Sequence, residues 1–238
     1  MLDYDGWING ISATFLIIFG CLSGIYFILI SRKIKNKLLS KTGAMLFFGS
    51  LAWLGNLLDF IAINLTQENF DNSSGLIGIL SFIWFFPMGL SAVLFGSKIL
   101  IPEKRWYLIS TFLILGFIFE LLIIFDTNNA IIFNTPTIAG ENLIEYRLNT
   151  FSIAGLIQFF FGIVFLIGFG LGFLFKGKIS TGSLRKQYLF LGLGFFTAIL
   201  CVMLDDLLSY GLFLVFVRIG FLLGFWLLYF GLTLEKHD

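Results

Sequence analysis

Asp205 and Asp206 stand side by side in LCVMLDDLLSYG (200–211), inside an otherwise apolar run. Asp59, Glu120 and Arg218 are set in equally apolar surroundings. Carboxyl groups and a guanidinium in such places can hold a cation, exchange a proton or clasp one another. None of them is free of consequence, because a charge at the centre of a membrane helix costs about 2.5–3.5 kcal/mol on insertion scales. Each therefore needs a partner or water.

Their heights follow from the helical rise. Counted from the basic residue at the near end of each apolar run, Asp59 lies about 27 Å from Lys41, Glu120 about 22 Å from Arg105, Asp205 about 28 Å from Lys186, and Arg218 about 27 Å from Lys236. Four helices thus bring charge to one level, in the outer third of a bilayer. Asn56, one turn from Asp59, and Gln158, about two turns into the fifth run, fall near the same level. Arg218 is the one cation there, and its planar fork suits a carboxylate. A very short turn makes the sixth and seventh runs antiparallel neighbours, so Arg218 is expected to pair with Asp205 or Asp206. Adjacent residues point about 100° apart on a helix, which leaves the second aspartate facing a cavity or the headgroups. Asp59, Asn56, Glu120, Gln158, Asp205, Asp206 and Arg218 are therefore the candidate ligand-binding residues of an outward-opening polar pocket. Four acids against one base suit a cation, a hydroxyl-rich small molecule or protons. The structural alternative is a set of partly snorkelled charges with one register-fixing ion pair.

The elements that must position these groups are membrane helices. Of the 238 residues 58% are hydrophobic and 12% charged, which places the chain among integral membrane proteins. A bilayer core needs about 20 apolar residues per helix, and seven continuous runs supply them near 9–30, 43–64, 75–97, 106–125, 151–175, 187–209 and 212–234. They lack the alternation of a membrane barrel. The expected fold is an all-α bundle of seven transmembrane helices forming a single domain, embedded in the lipid bilayer of the cell membrane. Basic residues gather in SRKIKNKLLSK (31–41), GSKILIPEKR (96–105) and KGKISTGSLRK (176–186), whereas 66–75 and 126–150 are predominantly acidic. The positive-inside rule then puts the N-terminus outside and the C-terminus in the cytoplasm. The first apolar run lacks the features of a cleaved secretory signal and is expected to stay as an anchor.

Segment 126–150 is too long for a simple helix connection. Its IIF and LIEY patches suit a lid on the outer face, the alternative being a mobile loop. Pro87, within FIWFFPMGL, removes a donor and should kink the third helix, freeing a carbonyl near Ile83. Pro87 and Trp84 are the candidate switch. Gly20 and Gly24 in the first helix and Gly220 and Gly224 in the seventh allow close helix packing, within the chain or across a homodimer seam. Laying GNLLDF (55–60) over CVMLDD (201–206) superposes Asp59 on Asp205, an echo that would suit two three-helix halves.

Several functions are excluded by inventory. Basic residues lie in short loops and form no stripe for nucleic acid. One histidine, His237, and two cysteines, Cys21 and Cys201 within spans, leave no ligand set for a metal centre or paired-histidine haem. Residues 212–234 contain no lysine for a retinal Schiff base, and no HExxH, GxSxG or phosphate-loop motif occurs. No catalytic residue and no cofactor is expected.

With its seven spans, external N-terminus, basic inner loops and RKQYLFLGLGFF (185–196), a basic turn opening a Leu/Gly-rich sixth helix, the chain resembles seven-helix sensory receptor modules. The likeness is to the membrane sensor region of microbial histidine kinases and, more remotely, to the G-protein-coupled receptor group. Asp-Arg-Tyr in the third helix and Asn-Pro-x-x-Tyr in the seventh are absent. The resemblance implies a receptor that binds a small molecule or cation outside and signals through a separate cytoplasmic protein. A small transporter of two halves and a structural membrane subunit are the alternatives.

Overall fold

The computed structural model describes residues 2–207 and 211–234. It contains seven long helices: α1 Tyr4–Lys33, α2 Lys37–Thr66, α3 Leu76–Leu100, α4 Pro102–Phe125, α5 Ile153–Ile179, α6 Gly182–Leu207 and α7 Leu212–Thr233. All are long and apolar enough to cross a membrane, which makes this a multi-pass membrane protein with an all-α bundle at its centre. Most helices run past the apolar stretches that announce them, because capping continues them into polar flanks. The Asp3 carboxylate accepts from Gly6 N at 2.6 Å, the Asn36 side chain from Leu38 N at 3.1 Å, and the Ser152 hydroxyl from Gly155 N at 3.0 Å. The turn at 208–210 lies outside the described residues, as do Lys236, the height reference for Arg218, and His237.

Each helix packs on the next in sequence order, α7 closes the ring against α1, and α7 also touches α2. Glycines permit the closest crossings. A Cβ on Gly24 would meet Gly43 O at 2.7 Å, and one on Gly194 would meet Gly224 O at 2.6 Å. Gly20 faces Ser50 and Gly220 faces Cys201, so the four glycines singled out in α1 and α7 all look inward on the same chain.

Three helices depart from regular winding. In α2, Leu51–Trp53 tightens into a 3₁₀ turn. The third helix breaks at Ile83 and Trp84, between Leu76–Phe82 and Phe85–Leu100, where Pro87 can offer no N–H to the Ile83 carbonyl. The fifth loosens into a π-helix over Val164–Leu171. Phe161, Phe165, Phe169 and Phe173 recur every four residues, a spacing that drifts one way around an α-helix and the other way around a π-helix, so mixing the two keeps the rings on one side. Phe195 of α6 joins them, 5.7 Å from Phe169 and 5.7 Å from Phe173. Phenylalanine thus fills the bundle toward its basic end.

Segment 126–150 is ordered and is not helical throughout. A single helical turn, Thr127–Ala130, leads into β1 Ile131–Asn134, which pairs antiparallel with β2 Glu145–Leu148. The hairpin is the one departure from all-α structure among the described residues. At this end Tyr4, Phe125 and Phe151 are exposed, and at the other Trp106 and Tyr107 are, with Arg105 stacked 4.9 Å over the Trp106 ring. Exposed rings at both ends match the two interfaces of a bilayer.

Candidate functional site

Arg218 lies in the second turn of α7 and is only 3% exposed. Its partners come from two other helices. Nε donates to Asp205 Oδ1 at 3.2 Å, Nη1 to Asn9 O at 2.8 Å and to Ser12 Oγ at 2.5 Å, and Nη2 to Asn9 Oδ1 at 2.7 Å. Asn56 Nδ2 donates to the same Asn9 oxygen at 3.0 Å. The other oxygen of Asp205 accepts from Trp53 Nε1 at 2.8 Å, and the Trp53 ring lies 5.9 Å from the guanidinium carbon. A buried ion pair repays its desolvation only when its remaining hydrogen-bonding capacity is also met, and here it nearly is. α1, α2, α6 and α7 are joined by one network.

Beside this network lies a cavity of about 270 Å³. Phe48, Trp84, Phe85 and Met88 bound it on the α2 and α3 side, Gln158 on α5, and Asp205 and Asp206 on α6. The 3₁₀ turn of α2 and the break in α3 both border it. The hairpin contributes Ile132, Asn134, Glu145 and Arg147, which share one face of the two strands, and with them Ile144 and Tyr146. The opposite face docks the hairpin: Tyr146 lies edge-on to Phe82 at 5.9 Å, its hydroxyl is 2.8 Å from Ser81 Oγ, and it donates to the Ala52 carbonyl at 3.4 Å. Burial pushes the Tyr146 phenol well above its usual range, against the opposing hydrogen bond from Ser81. It therefore works as a neutral hydrogen-bonding group.

Not every polar atom around the cavity is spoken for. Trp84 Nε1, Gln158 Oε1 and Glu145 Oε1 are buried without a hydrogen-bond partner. Asp206 remains exposed, touched by Gln158 Nε2 at 3.4 Å, while Asn134 Nδ2 reaches the second Glu145 oxygen at 3.2 Å. A cavity wall with an idle donor and idle acceptors is suited to a polar guest.

Of the residues singled out from the sequence, Asn56, Trp84, Gln158, Asp205, Asp206 and Arg218 line this cavity. Three do not. Asp59 is fully buried, and its carboxylate accepts from Phe70 N at 2.7 Å, Ile144 N at 2.7 Å and Asn69 Nδ2 at 3.1 Å. Its place is corrected from pocket wall to rivet, because backbone donors of two loops saturate it. Glu120 points from α4 toward the Phe86 backbone, and both its oxygens are buried. Pro87 sits one turn below the break that it causes. Arg218 pairs with Asp205 through one nitrogen rather than as a two-pronged fork, since α1 claims the other two. Asp59 and Asp205, superposed in the internal echo, have unlike partners.

Asn9, Ser12, Trp53, Glu145 and Tyr146 escaped the sequence reading. The first two had a signal: two polar residues three apart, on one face of the first helix. Among the described residues no group of three or more His, Cys, Asp or Glu side chains could hold a metal ion. No protein-family model matches the chain, and no curated protein matches it.

Proposed function

We propose that the chain is a seven-helix receptor or sensor of the cell membrane. The N-terminus and the hairpin lie outside, and the basic loops and C-terminus lie in the cytoplasm, as the distribution of lysine and arginine favours. A small ligand or cation enters the cavity beneath the hairpin, and a separate cytoplasmic protein reads the resulting change in helix packing. One observation carries this reading: the cavity is bounded by the two irregular turns of α2 and α3, and Trp84 at the α3 break lines it with an indole N–H that is buried without a partner. A guest that engages Trp84 acts on a point where the α3 helix has no continuous hydrogen-bond ladder to resist movement. Differential affinity for two arrangements of that break would be the signal. The transporter of two halves has less support, because Asp59 and Asp205 make unlike contacts and the interior toward the basic end is packed with phenylalanine.

The test is a thermal-shift screen of polar small molecules on the full chain in lipid nanodiscs, with Ile132→Trp as a variant whose side chain fills the cavity from the roof. A hit is expected to raise the melting temperature of the wild type, to leave Ile132→Trp unmoved, and to slow amide exchange over residues 82–88. Flux of the hit across proteoliposomes would overturn the reading in favour of transport. A library that shifts neither protein would count against any ligand-binding role.

A further inference from the structure

The cavity wall is chemically lopsided in a way that narrows its guest. Arg218 has four hydrogen bonds within the protein, so its charge is committed to Asp205, Asn9 and Ser12. Arg147, at the roof, is the other cation of the lining and is exposed. Against these stand three acceptors from three separate elements: the exposed Asp206 carboxylate on α6, Gln158 Oε1 on α5 and Glu145 Oε1 on the hairpin, the last two buried without partners. Two of these three residues are carboxylic acids, whose oxygens offer an anionic guest no donor. One rim arginine stands against them. A calcium or magnesium ion would take about six or more oxygen ligands at short range, and among the described residues no group of three or more His, Cys, Asp or Glu side chains could hold a metal ion. Beside the acceptors, Phe48, Trp84, Phe85 and Met88 present apolar and aromatic surface, which accommodates a carbon body and attracts a cationic head.

Resting on the receptor reading of this same cavity, we propose that its ligand is a small organic ammonium ion, with the N–H groups directed at Asp206, Gln158 and Glu145 and the carbon body against Trp84 and Phe85. A primary ammonium carries three donors, and the wall offers three acceptor groups. Trp84 Nε1, a donor without a partner in the protein, suits one acceptor on the same ligand.

The experiment uses the full chain in nanodiscs at neutral pH with four probes of similar size: phenethylamine, its neutral counterpart 2-phenylethanol, its quaternary counterpart phenethyltrimethylammonium and the acid 3-phenylpropionate. Melting shifts and tryptophan fluorescence report binding. Phenethylamine is expected to bind about tenfold or more tightly than the alcohol, the difference that one charge-assisted hydrogen bond makes. The quaternary ion should fall between them and the acid should bind least. Asp206→Asn should abolish the preference for amine over alcohol, and Glu145→Gln, on the hairpin and away from the bundle packing, should reduce it even where the first variant fails to fold. Equal binding of amine and alcohol, or strongest binding of the acid, would overturn the ammonium assignment while leaving a receptor cavity in place. Binding by none of the four, in a protein that also fails the broader screen, would remove both.

Discussion

Asp59 and Asp205 lie in corresponding places, each a carboxylate deep in an apolar run and each at the hairpin end of the bundle, yet they are neutralised by opposite means. Asp59 is held by backbone N–H groups of Phe70 and Ile144 and by the Asn69 amide, so it ties loop to loop. Asp205 is held by Arg218 and Trp53, so it ties helix to helix. A carboxylate met by peptide dipoles needs no counter-charge, and its removal frees only local donors. One met by a guanidinium leaves a full charge behind when it goes. The first arrangement therefore suits a fixed anchor, and the second suits a junction whose breaking is felt by every helix it joins. Asn69 extends the anchor: it also donates to Asn142 O at 2.8 Å and accepts from Gly140 N at 2.9 Å, closing the loop 67–75 onto the foot of the hairpin.

The largest effect should come from the junction. Arg218→Met leaves Asp205 without its counter-charge and takes one donor each from Asn9 O, Asn9 Oδ1 and Ser12 Oγ, and breaking a buried pair from one side costs about 3–5 kcal/mol. Little folded protein is expected by size-exclusion chromatography in detergent. Adding Asp205→Leu to it should recover a monodisperse peak, since no uncompensated charge is then left inside. Failure of that recovery would mean that the contacts to α1, rather than the ion pair, hold the junction. The anchor should respond less and more locally. Asp59→Ala leaves the Phe70 and Ile144 N–H groups without an acceptor, at about 1–3 kcal/mol, and amide exchange should rise over 69–70 and 141–146 but not across α6 and α7. If exchange rises equally in both regions, the distinction between anchor and junction is wrong. Smaller again is Trp53→Phe, which removes one hydrogen bond to Asp205 worth about 1.5 kcal/mol and should lower the melting temperature by a few degrees without changing the exchange pattern of the hairpin.

The comparison also marks how far a sequence can be read here. The seven helices were legible because a span needs an uninterrupted apolar run, and the Asp205–Arg218 pair because a short turn leaves the neighbouring helices no freedom to separate their charges. Pro87 announced its break because its missing N–H is written in the residue type. The 3₁₀ turn at Leu51–Trp53 has no such residue, and nothing in SLAWLG distinguishes it. The partners of Asp59 were illegible for a deeper reason: every non-proline residue carries a backbone N–H, so sequence cannot say which two will turn toward a carboxylate. Asn9 and Ser12 were readable in principle, but uncharged polar residues are common enough in membrane helices to pass as packing. The hairpin was half legible. IIF and LIEY marked a segment that packs on the bundle, but not that Ile131–Asn134 and Glu145–Leu148 would pair as strands, nor that Glu145 and Arg147 would border the cavity.

The smallest effect tests whether the hairpin is docked by Tyr146 as well as by Asp59. The phenol is neutral in the folded protein, and burial holds its pKa above the unfolded value of about 10. A group raised in this way favours the folded state fully below the unfolded pKa. Above it the unfolded chain releases a proton that the folded one retains, so docking weakens as pH rises past about 10. Amide exchange over 131–148 should therefore accelerate more steeply between pH 9.5 and about 11 than intrinsic base-catalysed exchange alone requires. Tyr146→Phe loses the contacts with Ser81 and Ala52 and should start from a slightly weaker docking, yet show no added steepness over the same range. The two curves should converge at the alkaline end. Parallel curves would assign the docking to Asp59 and the buried strand residues alone, and would leave Tyr146 as a ring that packs on Phe82 with an incidental hydroxyl.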